Sequence, residues 1–142
     1  MAVTIALLGS IGSAPAMAQT DLRQDVGAAV VARLNRGQSQ PTLEALRSEF
    51  PFLADSLQNY ALGEVWARDG LDDQTRQLMA VAIFAALGDQ ALLRVHAQYA
   101  LNIGVTRERL KEAVYLVTVP AGFPRAIAAA QTLSALFEEQ AH

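Results

Sequence analysis

The hydrophobic and polar positions of this chain follow a helical period throughout, and no segment keeps up the alternation that is typical of a strand. The first predicted helix covers Leu22–Asn35, with an apolar stripe on one face, and Gly37 stops it. Pro41 opens a short second helix, and Pro51 ends that helix and starts a third over Phe52–Arg68. The pattern therefore predicts an all-α chain.

The second half of the chain continues in the same way, with predicted helices over Asp73–Leu87, Ala91–Leu101, Arg107–Thr118 and Arg125–Glu139. Asp72 and Thr106 are suited to cap two of them, and the segment Pro120–Pro124 predicts a rigid break. Because Asp73–Leu87 is apolar nearly all round, we expect it to be the central, fully buried helix.

Composition points to one folded domain in an oligomer. The chain has 142 residues, of which 52% are hydrophobic and 18% charged, more apolar material than a small monomer hides easily. We therefore expect a homo-oligomer. The net charge is -3 and Lys and Arg do not cluster, which argues against a nucleic-acid partner. Cysteine is absent, which excludes disulfides, cysteine metal sites and thiol redox chemistry within the chain.

The first residues have features of an export signal. Met1–Thr20 carries no charged side chain, and an apolar run is followed by Ala16–Ala18, a small-x-small cleavage pattern. A signal peptide over residues 1–18 would place the protein in the periplasm or outside the cell. The n-region lacks Lys and Arg, so a buried N-terminal helix or a tail in a cytoplasmic protein is the alternative. The run is too short to span a membrane, and no membrane partner is expected.

Two ionisable side chains fall on apolar stripes. Glu64 shares its stripe with Tyr60 and Ala61, and His96 lies on an apolar face of the next helix but one. A buried carboxylate must find a partner or have its pKa raised. Glu64 is therefore either a site residue or half of a surface pair with Arg68, and His96 is either a catalyst or a hydrogen-bonded core residue.

Arg76 and Trp66 are further candidates. Arg76 begins the apolar helix, where Asp72 and Asp73 offer an ordinary ion pair as the alternative explanation. Trp66 is the only tryptophan, and anchoring in a core or interface would also explain it. The only other histidine is His142, at the terminus, so one chain cannot build a multi-histidine metal site. No metal and no cofactor are expected.

Several motifs follow one another over roughly Phe50–Phe137, namely Tyr60–Arg68, Gly70-Leu71, Thr75-Arg76, Leu93–Ala97, Ala100–Glu108 and Ala121–Pro124. Together, and in this order, they resemble the carboxymuconolactone decarboxylase family. The resemblance implies a single all-α helical-bundle domain over residues 50–142, preceded by a helical extension over residues 19–49. It also implies a homo-oligomer, a trimer or a hexamer.

The resemblance separates two kinds of chemistry. The peroxidase-like branch uses a Cys-x-x-Cys pair before its histidine, and here those positions hold Asp89 and Leu92. The other branch decarboxylates 4-carboxymuconolactone without a cofactor. The resemblance therefore implies a lyase acting on that compound or on another small carboxylated lactone, with a small-molecule substrate as the partner.

Residue roles carried over by the resemblance are hypotheses at this point. His96 is the expected proton donor or oxyanion partner, and Glu64 is its orienting or proton-shuttling carboxylate. Arg76 or Arg68 would bind a substrate carboxylate, and Trp66 would line the substrate site. A non-catalytic oligomeric binding protein of the cell envelope stays open as the alternative. A peroxidase-like antioxidant protein is the third reading, which the absence of cysteine disfavours.

Overall fold

The computed structural model describes residues 16–141, and all regular secondary structure in that range is helical, which confirms the all-α class. The helices are α1 (Ala16–Leu34), α2 (Pro41–Glu49), α3 (Pro51–Ser56), a π-helix (Leu57–Trp66), α4 (Asp73–Leu87), α5 (Gln90–Asn102) and α6 (Arg107–Glu139). Most of the predicted signal peptide, residues 1–15, lies outside the described residues. The expected cleavage site forms the start of α1.

Local capping chemistry fixes the helix ends, as the sequence predicts. The carboxylate of Asp72 accepts the backbone N–H of Thr75 at 2.8 Å, and the hydroxyl of Thr106 accepts that of Arg109 at 3.3 Å. Helix α4 ends at Gly88, whose φ of 81° is a left-handed conformation that glycine adopts without strain. The bounds of α4 are those predicted.

Helices α4, α5 and α6 enclose the main core. Val81, Leu93, Leu110 and Leu133 are each no more than 2% exposed within it. The expectation that α4 is buried on every side is wrong for the single chain, because Met79, Ile83 and Leu87, spaced four residues apart, leave a stripe on the surface. The core covers one face of α4 only.

Helix α1 packs along the π-helix at very short range. A Cβ atom on Gly27 would lie 2.2 Å from the carbonyl oxygen of Gln58, and one on Gly63 would lie 2.3 Å from that of Arg23. Two glycines thus allow the backbones to touch. The apolar stripe predicted for this helix, Leu22, Val26, Ala29 and Val30, is confirmed only in part. Val30 is buried, together with Val31 and Leu34, whereas Ala29 is exposed and Leu22 is 64% exposed.

The predicted break in the last third of the chain is a kink inside α6. Gly122 has φ 78° and ψ 170°, and the chain is helical on both sides of it. Arg107–Glu139 is long and apolar enough, with a mean hydropathy of 1.4 over the relevant window, to cross a membrane on those two criteria alone. The kink divides it into two stretches, each shorter than the roughly 20 residues that a span needs.

Apolar side chains are exposed along α4 and α6. Leu116, Val119, Phe123 and Ile127 are all more than half exposed, and they add to the α4 stripe. A shallow hollow of about 620 Å³ opens between the two helices, lined by Leu78, Met79, Ala82, Glu108, Arg109, Glu112, Ala113 and Leu116. Such a surface is typical of a subunit contact. The homo-oligomer stays a prediction.

Candidate functional site

The imidazole of His96 lies in a group of aromatic rings contributed by three helices. Trp66, at the end of the π-helix, stacks on it with ring centroids 5.4 Å apart, and Phe84 of α4 stacks at 5.1 Å. Tyr99, one turn along α5, meets the imidazole edge-on at 6.0 Å. Two flat rings therefore stack nearly parallel to the imidazole of His96, which restricts the orientation of its plane.

Burial among these rings lowers the pKa of His96 from 6.5 to about 4, because the charged form loses its water. The ring is therefore neutral near pH 7. Burial also raises the pKa of Tyr99, which is 6% exposed, to about 12, so its phenol stays neutral in the same range. None of the three rings that pack against His96 is therefore charged near pH 7.

The hydrogen-bond partner of His96 is Gln77, which sequence reasoning missed. Nδ1 of His96 lies 2.9 Å from Oε1 of Gln77, and Gln77 is fully buried on α4. A signal was available, because Gln77 is three and four positions before Ala80 and Val81 and so shares the buried face of that helix. A glutamine on such a face must satisfy its amide inside the protein.

Glu64 contacts neither of the two residues that the sequence suggested as its partners, Arg68 and His96. Its carboxylate forms an ion pair with Arg23 of α1, at 2.7 Å from Nε, and its side chain is 37% exposed. Neither a pair with Arg68 nor a hydrogen bond to His96 is present in residues 16–141. The orienting role expected of Glu64 toward His96 is therefore wrong within one chain, where Gln77 occupies that place.

The side chain of Arg76 binds backbone carbonyl groups at and just beyond the end of the π-helix. Its guanidinium donates to the backbone carbonyls of Leu71 at 3.2 Å and Val65 at 3.3 Å, and also to that of Arg68. The alternative explanation for Arg76, an ion pair with Asp72 or Asp73, is not found among the ion pairs of the described residues. Asp72 caps α4, and Asp73 accepts from Arg33 at 2.6 Å.

The Arg76 hollow is the cavity in which two candidates meet. It has a volume of about 240 Å³ and is lined by Val65, Trp66, Leu71, Arg76, Met79, Ala80 and Ile83. Arg76 has no carboxylate partner in the part of the chain that the structure describes, and a guanidinium has more N–H donors than the carbonyls use. An apolar hollow with one uncompensated cation is suited to a small organic anion.

Trp66 connects the hollow to the histidine, since it lines the first and stacks on the second. Arg68 does not line the hollow, and its backbone carbonyl serves Arg76. Of the five predicted site residues, the structure thus brings Arg76, Trp66 and His96 into one region. Glu64 is instead paired with Arg23, and Arg68 lies outside the cavity.

Within residues 16–141, no group of three or more His, Cys, Asp or Glu side chains is arranged to hold a metal ion. The chemistry available at the site is that of one imidazole, one guanidinium and apolar walls. Such a set can bind an anion, keep water away from it and move one proton.

Comparison with known proteins gives consistent matches. The model of the carboxymuconolactone decarboxylase family matches residues 51–135. The chain is 37% identical over 83 residues to 4-carboxymuconolactone decarboxylase of Acinetobacter baylyi, and 36% identical over 90 residues to nitrosuccinic acid decarboxylase of Metarhizium robertsii. These matches cover 58% and 60% of this chain and 62% of each relative.

An uncharacterized protein of Methanocaldococcus jannaschii is 26% identical over 92 residues, which cover 65% of this chain and 85% of that one. The chain thus matches less than two thirds of the length of the two decarboxylases. The matched part, residues 51–135, contains the Arg76 hollow and His96.

Proposed function

The chain belongs to the carboxymuconolactone decarboxylase family, and on that premise we propose that it is a cofactor-free decarboxylase. The proposed substrate is 4-carboxymuconolactone or a related small carboxylated lactone. The names of two relatives support a decarboxylase. The observation that carries the proposal is the uncompensated Arg76 in an apolar hollow that shares Trp66 with His96.

Binding is the first step. A carboxylate of the substrate enters the hollow and accepts hydrogen bonds from the N–H groups of Arg76 that the carbonyls leave free. Trp66 and Ile83 supply flat and aliphatic walls for the carbon skeleton. A substrate that lies against these apolar walls displaces water from the guanidinium, which strengthens the attraction between the two charges.

Loss of carbon dioxide is the second step. The bond between the leaving carboxylate and its carbon breaks, and the electron pair moves into the unsaturated lactone toward its carbonyl oxygen. The reaction ends when a proton is added to carbon. The lactone itself accepts the electrons, so no cofactor is needed. The protein has to bind the anion, exclude water and supply one proton.

We propose His96 as the donor of the proton that is added to carbon. The ring is neutral at rest, and a proton gained at Nε2 from solvent makes an imidazolium that gives it up readily, since its pKa is about 4. Glu64 stays with Arg23 in the single chain. Its proposed shuttle role therefore requires a contact between subunits.

The direct test is carbon dioxide release, or loss of lactone absorbance, with purified protein lacking residues 1–18 and a panel of muconolactones. His96→Gln should remove turnover while the protein stays folded. Arg76→Lys, which keeps the charge but not the planar fork, should raise KM about tenfold or more. Arg36→Lys, on an exposed arginine in the linker between α1 and α2, is the matched control. Full activity of His96→Gln would remove the imidazole from the mechanism.

Assembly and location are proposals as well. The exposed apolar side chains of α4 and α6 support a homo-oligomer, a trimer or a hexamer, which sedimentation can measure. The signal pattern in residues 1–18 supports export to the periplasm, with a cytoplasmic protein as the alternative. N-terminal sequencing of protein from the native cell would distinguish the two.

One observation favours a second function. Glu64 is bound to Arg23 and does not face His96, which is what a non-catalytic binding protein of the cell envelope would tolerate. Such a protein would bind a muconolactone measurably by calorimetry and release no carbon dioxide. A thiol peroxidase, the third reading, lacks its nucleophile, because the chain contains no cysteine.

A further inference from the structure

Gln77 is a fully buried amide with a single polar contact. Its Oε1 bonds to Nδ1 of His96, and its Nε2 is buried with no hydrogen-bond partner in residues 16–141. Leaving the N–H groups of an amide unpaired in a core destabilises the folded state. Its neighbours on the same face, Ala80, Val81 and Ala85, are apolar and buried. A purely structural position here would suit an apolar residue better.

The contact has a direction, because a carbonyl oxygen can only accept. Nδ1 of His96 must therefore carry the hydrogen, and in the neutral ring the lone pair is then on Nε2. The same bond survives when Nε2 gains a proton, since both nitrogens then carry hydrogens. The opposite orientation, with the amide NH2 toward Nδ1, would be incompatible with a protonated ring.

We propose that Gln77 is a positioning residue that holds His96 as the Nδ1–H tautomer and thereby makes Nε2 the atom that gains and returns the reaction's proton. The second half of this statement rests on the proposed decarboxylase function. The first half concerns the ring alone. The Trp66 and Phe84 rings stack on the imidazole, and Gln77 selects which of its two nitrogens carries the hydrogen.

An amide differs from a carboxylate at this position in one physical respect. Both accept a hydrogen from Nδ1, but a carboxylate would attract the imidazolium and raise its pKa by about 1–3 units. The groups packed against His96 are two uncharged rings, the neutral phenol of Tyr99 and Gln77 itself. Gln77→Glu therefore places a charge against an imidazole whose ring and hydrogen-bond contacts within residues 16–141 are all uncharged.

The test uses nitrogen-15 spectra of the imidazole at pH 7 in the His142→Gln protein, which leaves His96 as its only histidine. The proposal expects a protonated Nδ1 and a lone pair on Nε2. Gln77→Met, whose thioether sulfur is only a weak acceptor, should give a mixture of tautomers. Gln77→Glu should keep the tautomer and move the titration of the ring upward by one pH unit or more. Gln74→Met, on the same helix but bonded elsewhere, should change neither.

A ring protonated at Nε2 in the parent protein would overturn the proposal, and so would a tautomer unchanged in Gln77→Met. The parent spectrum is decisive even where a variant does not fold. If the protein decarboxylates, kcat of Gln77→Met should fall about tenfold or more with little change in KM, because the substrate contacts remain. A ring protonated at Nδ1 in a protein that releases no carbon dioxide would support the positioning role and overturn the lyase proposal.

Discussion

The close contact between α1 and the π-helix gives the sharpest test of the fold. Replacing Gly63 by Ala would place a Cβ atom 2.3 Å from the carbonyl oxygen of Arg23 and 3.0 Å from its carbonyl carbon. Ordinary contact begins at 3.4 Å, so the two helices must separate by about 1 Å. Backbone atoms on both sides have no rotamer with which to avoid the clash.

The size of the effect follows from two opposing contributions. Overpacking of this kind costs about 1–3 kcal/mol, and the contact here is at the severe end. Alanine gains about 1 kcal/mol over glycine as a helix former. We therefore expect Gly63→Ala to lower the free energy of unfolding by about 2 kcal/mol, with a fall in Tm of roughly 8 °C.

Urea unfolding followed by circular dichroism measures this directly, and the midpoint should fall with little change in the slope. Gly70→Ala is the matched control, because a Cβ atom there would meet nothing within 4 Å; it should stay within about 0.5 kcal/mol of the parent. A Gly63→Ala protein as stable as Gly70→Ala would refute the close approach of the two helices.

Three further predictions follow from the described contacts. The parent protein should lose stability as the pH falls from 6.5 to about 4, by up to about 1.4 kcal/mol per pH unit, because in this range His96 binds a proton in the unfolded chain and not in the folded one. His96→Gln should lack this loss when unfolding is compared at pH 7.5 and 4.5. An equal loss of stability in both proteins would contradict the burial of the ring. Arg23→Gln should cost less than about 1 kcal/mol, because its ion pair with Glu64 is half exposed; a larger loss in urea would mean that the pair is shielded from water. Gly88→Ala should destabilise by about 1–3 kcal/mol, since φ there is 81° and the new Cβ would lie 1.6 Å from the guanidinium of Arg125; adding Arg125→Ala should recover only part of the loss, and full recovery would show that the backbone is not strained.

The bounds of α4 and the start of α6 could be predicted because the chemistry that sets them is local. Asp72, Thr106 and Gly88 act on backbone groups within a few residues, so their effect can be read from the sequence. The π-helix could not be predicted in this way. Its hydrogen bonding accompanies the approach of α1 at Gly27 and Gly63, which are 36 positions apart and meet only in the folded chain.

The sequence indicated candidate site residues but not the residues that contact them. The inward face of α5 indicated His96, and the start of the apolar helix indicated Arg76. The partner of His96 came from another helix 19 positions away, and the partner of Glu64 from α1. Periodicity assigns a residue to a face of its own helix and says nothing about which residue of another helix lies opposite.

The position of Trp66 in the site depends on the number of residues in the π-helix Leu57–Trp66. Its wider turn holds one more residue per hydrogen-bonded ring than an α-helix does. Deleting one residue there would let the segment wind as an ordinary α-helix and carry Trp66 around the axis, away from His96. The polar linker at Arg36–Gln40 carries no such constraint, so changes in chain length should be tolerated in the linker and not in the π-helix, even where single substitutions in the π-helix are harmless.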